Sequence, residues 1–206
     1  MATGRTSDAH KAINFLLTGV GGQGAILASD ILTQVGFKVG YDVKKAEVHG
    51  MSQRGGSVIS HVRWGPEVFS PIIARGEADV LVAFEKLEAV RFVDNLRPGG
   101  LAIINDHTIV PITVSDEEGA SYPDDESIRA RLERVTDNVH WVRGVEIAET
   151  LGNARAANVV LLGALAALLN DIGQDVWLAE IEARVPPKYA ELNRKAFQAG
   201  REAVSA

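Results

Sequence analysis

LLTGVGGQGAILAS, residues 16–29, joins two apolar runs through glycines at 19, 21, 22 and 24. The run before them, INFLLT at 13–18, is short, continuous and bounded by glycine, which predicts a buried strand. After them Ile26, Leu27, Ile31, Leu32 and Val35 recur at helical spacing, which predicts a helix over 22–35. Gly19, Gly21 and Gly24 therefore match G-x-G-x-x-G between a strand and a helix. Each has a physical reason. Gly19 permits a tight turn, Gly21 removes a side chain that would block an anion, and Gly24 lets the helix pack near the strand. The helix start offers unpaired N–H groups and a positive dipole end to a phosphate, and Gln23 can add its side-chain amide.

Working outward, residues 37–43 read as a second strand and 45–56 as a polar, glycine-containing loop. Residues 57–64 (SVISHVRW) alternate as a strand with one face more deeply buried. A short strand is predicted over 68–73. DVLVAF at 79–84 is apolar throughout, as in a strand covered on both faces. A helix over 85–96 ends at Pro98-Gly99-Gly100, and 101–105 is another buried strand. Residues 115–126 form an acidic, turn-rich excursion, followed by a short helix over 129–134 and a strand over 139–142. Four helices are predicted at 145–152, 155–170, 175–184 and 188–204. Strands alternating with helices imply an α/β fold, Rossmann-like, with a mainly parallel sheet. Between 43 and 73 strands follow one another without a helix, so an antiparallel element is expected there. The C-terminal helical part covers one face or edge of the sheet. Residues 1–12 are expected to be a mobile lead and 13–206 a single domain.

The motif alone leaves the ligand open. A dinucleotide fold places an acid about 20 residues further on. Asp42 and Glu47 both lie near that distance, with Lys44 and Lys45 beside Asp42. A ligand-free tight turn is the plain alternative. No hydride-transfer acid–base set appears downstream to support a stand-alone NAD(P)-binding dehydrogenase.

Composition narrows the classes. The chain has 206 residues, 46% of them hydrophobic, and a net charge of −6 with both signs mixed. It has no basic stripe for nucleic acid. It contains no cysteine, which excludes disulfides and cysteine-ligated iron–sulfur or zinc sites within this chain. The apolar segment 156–169 falls short of the about 20 residues a membrane span needs. The N-terminal text lacks the apolar core of a secretory signal, so a cytoplasmic location is expected.

EVHGMSQRGGSVISHVR, residues 47–63, is the more distinctive text. His49 can titrate near neutral pH. Ser52 and Gln53 offer hydrogen bonds, and Arg54 carries a planar fork suited to a carboxylate or phosphate. Gly55 and Gly56 allow close backbone approach to a ligand or another subunit. The bland reading is a solvated turn in which none of these acts.

Together GVGGQGAILAS and AEVHGMSQRGGSVISHVRWG resemble the gamma-type domain of the 2-oxoacid:ferredoxin oxidoreductases. The resemblance continues through ADVLVAFEKLEAVR and LRPGGLAIIND, and NARAANVVLLGALAALL is also similar to the family. It implies a subunit of a complex that decarboxylates an aryl 2-oxoacid on thiamine diphosphate. Electrons would leave through iron–sulfur clusters to ferredoxin, and the acyl group would pass to coenzyme A. Thiamine diphosphate, Mg and the clusters are then expected in a larger catalytic subunit, with no cofactor bound by this chain alone. No G-D-G followed by Asn, as a thiamine diphosphate–magnesium site requires, occurs here, and the isolated chain is expected to be inactive. The resemblance implies that this domain helps close the active site of the catalytic subunit, and Gly19, Gly21, Gly22, Gln23 and Gly24 are then expected to receive a phosphate or carboxylate of coenzyme A or substrate. It puts His49, Ser52, Gln53, Arg54, Gly55 and Gly56 at the subunit junction. A module that uses the fold only for protein contacts is the remaining alternative.

Glu85 and Asn105 each close a predicted strand and are second-tier site candidates. Glu88 is expected on a helix surface. The helix over 153–170 is expected in the core, with Gly163 and Ala164 allowing close approach of another helix, in this chain or a second subunit. Trp64, Trp141 and Trp177 are read as packing residues.

Overall fold

A computed structural model describes residues 11–49, 56–111 and 121–205. Strand β1 (Ile13–Val20) carries three consecutive fully buried residues, Phe15, Leu16 and Leu17. Neighbouring side chains point to opposite faces of a strand, so both faces of β1 are covered. Its neighbours are β3 (Ser57–Gly65), antiparallel, and β4 (Ala78–Ala83), parallel. Outward from β3 lies β2 (Asp42–His49), antiparallel to it; beyond β4 come β5 (Leu96–Asn105) and β6 (Val139–Val142), both parallel. The sheet order is β2-β3-β1-β4-β5-β6. The fold is thus α/β, with a mainly parallel sheet and an antiparallel pair of strands inserted at one side.

Helix α1 (Ala25–Lys38) leaves β1 toward one face of the sheet, where Phe15, Leu17 and Trp64 meet Ile31, Leu32 and Val35. On that face also lie α4 (Gly144–Thr150), α5 (Ala157–Leu169), α6 (Gln174–Glu182) and α7 (Ala190–Glu202). Helix α2 (Lys86–Phe92) leaves β4 toward the other face and packs with α3 (Asp125–Glu133) over Leu16, Leu81 and Ile104.

Five expectations are corrected. Residues 37 and 38 belong to α1, and the second strand begins only at Asp42. Gly40 ends the helix: it has φ +94°, its N–H donates to Phe37 O, and Tyr41 N–H donates to Gly36 O. This is the paired-bond helix stop that glycine permits. The polar text at 45–49 is then strand, on the sheet's outer edge, where charge discourages pairing with another chain. No strand forms over 68–73; Arg63 Nη1 instead holds the carbonyls of Ser70 and Ile72, and Pro71 has no N–H to donate. Strand β5 starts before Pro98, with a register shift against β4, and the preceding helix stops at Phe92 in a 3₁₀ turn.

Helix α5 is core on nearly every side, with Val159, Val160, Leu161 and Leu165 fully buried. Its small residues serve a crossing within the chain. A Cβ on Gly163 would lie 2.0 Å from Phe197 O, and one on Gly200 would lie 1.9 Å from Val160 O. The backbones of α5 and α7 are therefore in contact. Trp64 and Trp177 are buried; Trp141 is half-buried with the Arg129 guanidinium 4.4 Å over its ring.

Candidate functional site

Strands β1 and β4 are parallel neighbours whose helices depart to opposite faces. Open α/β sheets form a crevice at such a point, outside the carboxyl ends of the strands. Here Gln23 spans that crevice. Its Oε1 accepts Val20 N–H at 2.7 Å, and its Nε2 donates to Phe84 O at 2.8 Å. Asn105 Nδ2 donates to the same Phe84 carbonyl at 3.0 Å, while its Oδ1 accepts Gly144 N–H at 2.9 Å. The two carboxamides tie the ends of β1, β4 and β5 and the start of α4 together.

The glycine loop is built on close approach. Gly19 still lies within β1, where a Cβ would sit 2.9 Å from Phe84 Cβ. Gly22 has φ +104° and faces open space. The helix starts at Ala25, later than its periodicity predicts, with Gly24 as a left-handed cap that offers no side-chain bond. Helical geometry leaves the first N–H groups of α1 without an intrahelical acceptor, beside Gly22.

The second loop reaches the first because β3 runs back between β2 and β1. His49, Val58 and Gly19 lie in one row across the three strands. Gly21 N–H donates to Gly56 O at 2.8 Å, joining the two motifs directly. Ser52, Gln53, Arg54 and Gly55 lie outside the described residues, as does the side chain of His49.

Glu85 and Glu88 stand at the start of α2, and both are buried. Glu85 caps the helix by accepting Glu88 N–H at 2.9 Å. Its other oxygen accepts Ile109 N–H at 3.1 Å and the hydroxyl of Tyr122. Burial, and then the Glu85 carboxylate, push the Tyr122 phenol above its ordinary range. Glu88 is not a surface residue: Oε2 accepts from Ser57 Oγ at 2.5 Å and Thr18 Oγ1 at 3.3 Å, and Oε1 from Arg91 Nη1 at 2.6 Å. No cap signal marks this pair in the sequence, because Glu is not among the preferred N-cap residues.

A cleft of 320 Å³ opens beside the glycine loop, lined by Gly22, Phe84, His107, Ile109, Val145 and Arg155 among others. A second cavity of 250 Å³ lies across Ile109, against Glu85, Glu88, Arg91 and Val110. Phe84, Ile109, Val145 and Ala157 give the apolar part of the cleft's lining, and Arg155 and Glu149 its charges. A larger cavity of 360 Å³ sits at Arg129 and Trp141, away from the glycine loop. We favour the glycine-loop cleft as the site because backbone donors, a helix start and the sheet crevice converge there. Ile26, Val48 and Val110, all large and exposed, stand on the same carboxyl edge of the sheet.

The acids a dinucleotide fold would use are engaged elsewhere. Asp42 is at the opposite end of β2, bonded to Lys44 Nζ at 2.5 Å and Val68 N–H at 2.8 Å. Those bonds hold its carboxyl below the usual range. Glu47 pairs with Lys45 at 2.5 Å. Among the described residues no three His, Asp or Glu side chains converge as a metal set, and no helix is long and apolar enough to cross a membrane.

Residues 14–203 match the family model of pyruvate ferredoxin/flavodoxin oxidoreductase. The chain is 40% identical over 192 residues to indolepyruvate oxidoreductase subunit IorB of Pyrococcus horikoshii, covering 92% of this chain and 95% of that one. It is 38% identical to the same subunit of Thermococcus kodakarensis, with the same coverage. Among solved structures, the gamma subunit of a keto/oxoacid ferredoxin oxidoreductase from Geobacter sulfurreducens superposes with a TM-score of 0.69 at 25% identity, covering 94% of this chain and 98% of that one.

Proposed function

Because the chain belongs to the pyruvate ferredoxin/flavodoxin oxidoreductase family, we propose that it is the beta subunit of an indolepyruvate oxidoreductase complex. The observation that carries this reading is the match, along nearly the whole of both chains, to indolepyruvate oxidoreductase subunits. The stand-alone dehydrogenase is not favoured: Asp42 lies at the opposite end of the sheet and Glu47 is paired with Lys45.

The reaction converts an aryl 2-oxoacid and coenzyme A to an acyl-CoA, CO₂, a proton and two electrons, the electrons passing to ferredoxin. Thiamine diphosphate, Mg and iron–sulfur clusters held by the larger subunit would supply the decarboxylation and electron-transfer chemistry. This chain, lacking cysteine, cannot furnish thiolates for a cluster. Its own part is to complete the active-site wall. Residues 13–206 act as one gamma-type domain in the cytoplasm, and the carboxyl edge of the sheet faces the larger subunit. The meeting of the two distinctive motifs at Gly21 and Gly56 favours that edge. The glycine loop receives a phosphate or carboxylate of coenzyme A or substrate. His49 and Arg54 lie at the junction, facing the cofactor of the larger subunit.

Co-expression with a cysteine-rich partner tests this reading. The complex is expected to reduce a dye with indolepyruvate only when thiamine diphosphate is present, and the isolated chain to do nothing. Oxidation of a 2-oxoacid by the isolated chain would overturn it. Arg54→Ala is expected to lower turnover of the complex, and coenzyme A to bind at the glycine loop; unchanged turnover, or binding elsewhere, removes those roles.

A further inference from the structure

Glu88 stands outside the glycine-loop cleft, yet one of its oxygens holds the roots of both loops. Thr18 and Ser57 donate to Oε2 at 3.3 and 2.5 Å. Thr18 immediately precedes Gly19, and Ser57 immediately follows Gly56. The register that pairs Val20 with Ser57 continues one step further in the bond from Gly21 N–H to Gly56 O. The carboxylate is itself held in place. Arg91 fixes the other oxygen at 2.6 Å, and the Glu85 cap fixes the helical turn that carries Glu88.

A buried, paired carboxylate contributes little net stability compared with a well-packed apolar side chain. What it provides is a fixed separation between the groups that donate to it. Those groups belong to β1 and β3, which stay paired as far as Val20 and Ser57. The start of α2, the end of β1 and the start of β3 therefore form one framed unit.

We infer that Glu88 is a positioning residue, seating α2 through Thr18 and Ser57 against the ends of β1 and β3, where Gly21 bonds Gly56. The catalytic consequence rests on the function proposed above: a shift of this edge changes how the larger subunit's reaction centre is enclosed, and small misplacements of positioning groups can cost about a hundredfold in rate.

Ser57→Ala tests the idea without stranding a buried charge, because Thr18 and Arg91 still donate to Glu88. Ser57→Thr restores the hydroxyl. In the full chain alone, amide exchange at Gly21 is expected to quicken about tenfold in Ser57→Ala and to return to the parental rate in Ser57→Thr, with α5 amides unchanged. In the assembled enzyme, Ser57→Ala is expected to lower kcat per iron-loaded complex about tenfold, with KM for the 2-oxoacid within about twofold, and Ser57→Thr to recover it. Parental exchange at Gly21, or equal quickening throughout α5, overturns the framing role; parental kcat with fast Gly21 exchange overturns the catalytic one. A parental complex with no thiamine-dependent turnover would refute the function proposed above, while the exchange measurement would still judge the frame.

Discussion

Gly163 presses against the carbonyl of Phe197 so closely that a single methyl would come within 2.0 Å of the oxygen. The obstacle is backbone, which cannot rotate away. Ala is the better helix former by about 1 kcal/mol, but overpacking here is expected to reverse that gain. We expect Gly163→Ala to destabilise the chain by roughly 3 kcal/mol, lowering the melting midpoint by about 10 °C. A calorimetric midpoint at or above the parental value would contradict the crossing.

Gln23 and Asn105 meet at the Phe84 carbonyl. Gln23→Glu keeps an acceptor for Val20 N–H but removes the donor to Phe84 O. The cost is expected to be about 1–2 kcal/mol, because Asn105 still satisfies the carbonyl. Urea unfolding measures it. A larger loss is expected for Asn105→Leu, which strands Gly144 N–H as well.

His61, buried on β3, accepts Ile73 N–H at Nδ1 at 3.3 Å. Burial holds its pKa below the ordinary 6.5. The unfolded chain then binds a proton that the folded chain refuses. Stability is full above about pH 6.5 and declines as pH falls from there toward the folded pKa. His61→Asn offers an oxygen at the Nδ1 position without titrating there. Denaturation midpoints measured from about pH 7.5 to 5.5 should fall for the parent and fall less for the variant. Parallel curves would show that another group sets the slope.

Gly24 has φ +81°, and a Cβ there would lie 2.6 Å from Asn158 Nδ2. Gly24→Ala is expected to cost about 1–2 kcal/mol from backbone strain plus the clash. Adding Asn158→Ala should recover only the second part. Full recovery in the double variant, read by thermal unfolding, would mean the backbone is not strained.

The sheet's central strands were legible because their apolar runs are uninterrupted, as INFLLT and DVLVAF illustrate. The start of β2 was not. FKVGYDV alternates like a strand, and its helical ending depends on Gly40 adopting a left-handed φ, a stop signal that Lys38 and Gly40 did carry. The true strand reads as loop because an edge strand is polar. The glycine loop was found from spacing alone, but the role of Gln23 was not, since its partner Phe84 lies 61 residues away. Glu88 reads as surface for the same reason: Ser57 and Thr18, which bury it, are 31 and 70 residues distant.

The reversed strand β3 has a geometric result for the whole carboxyl edge. Wedged between two strands of the opposite sense, it begins beside the turn that follows β1, one strand in from the margin of the sheet. A purely parallel arrangement would have put that beginning at the other end of the sheet. Here a shift of Gly56 reaches Gly21 directly.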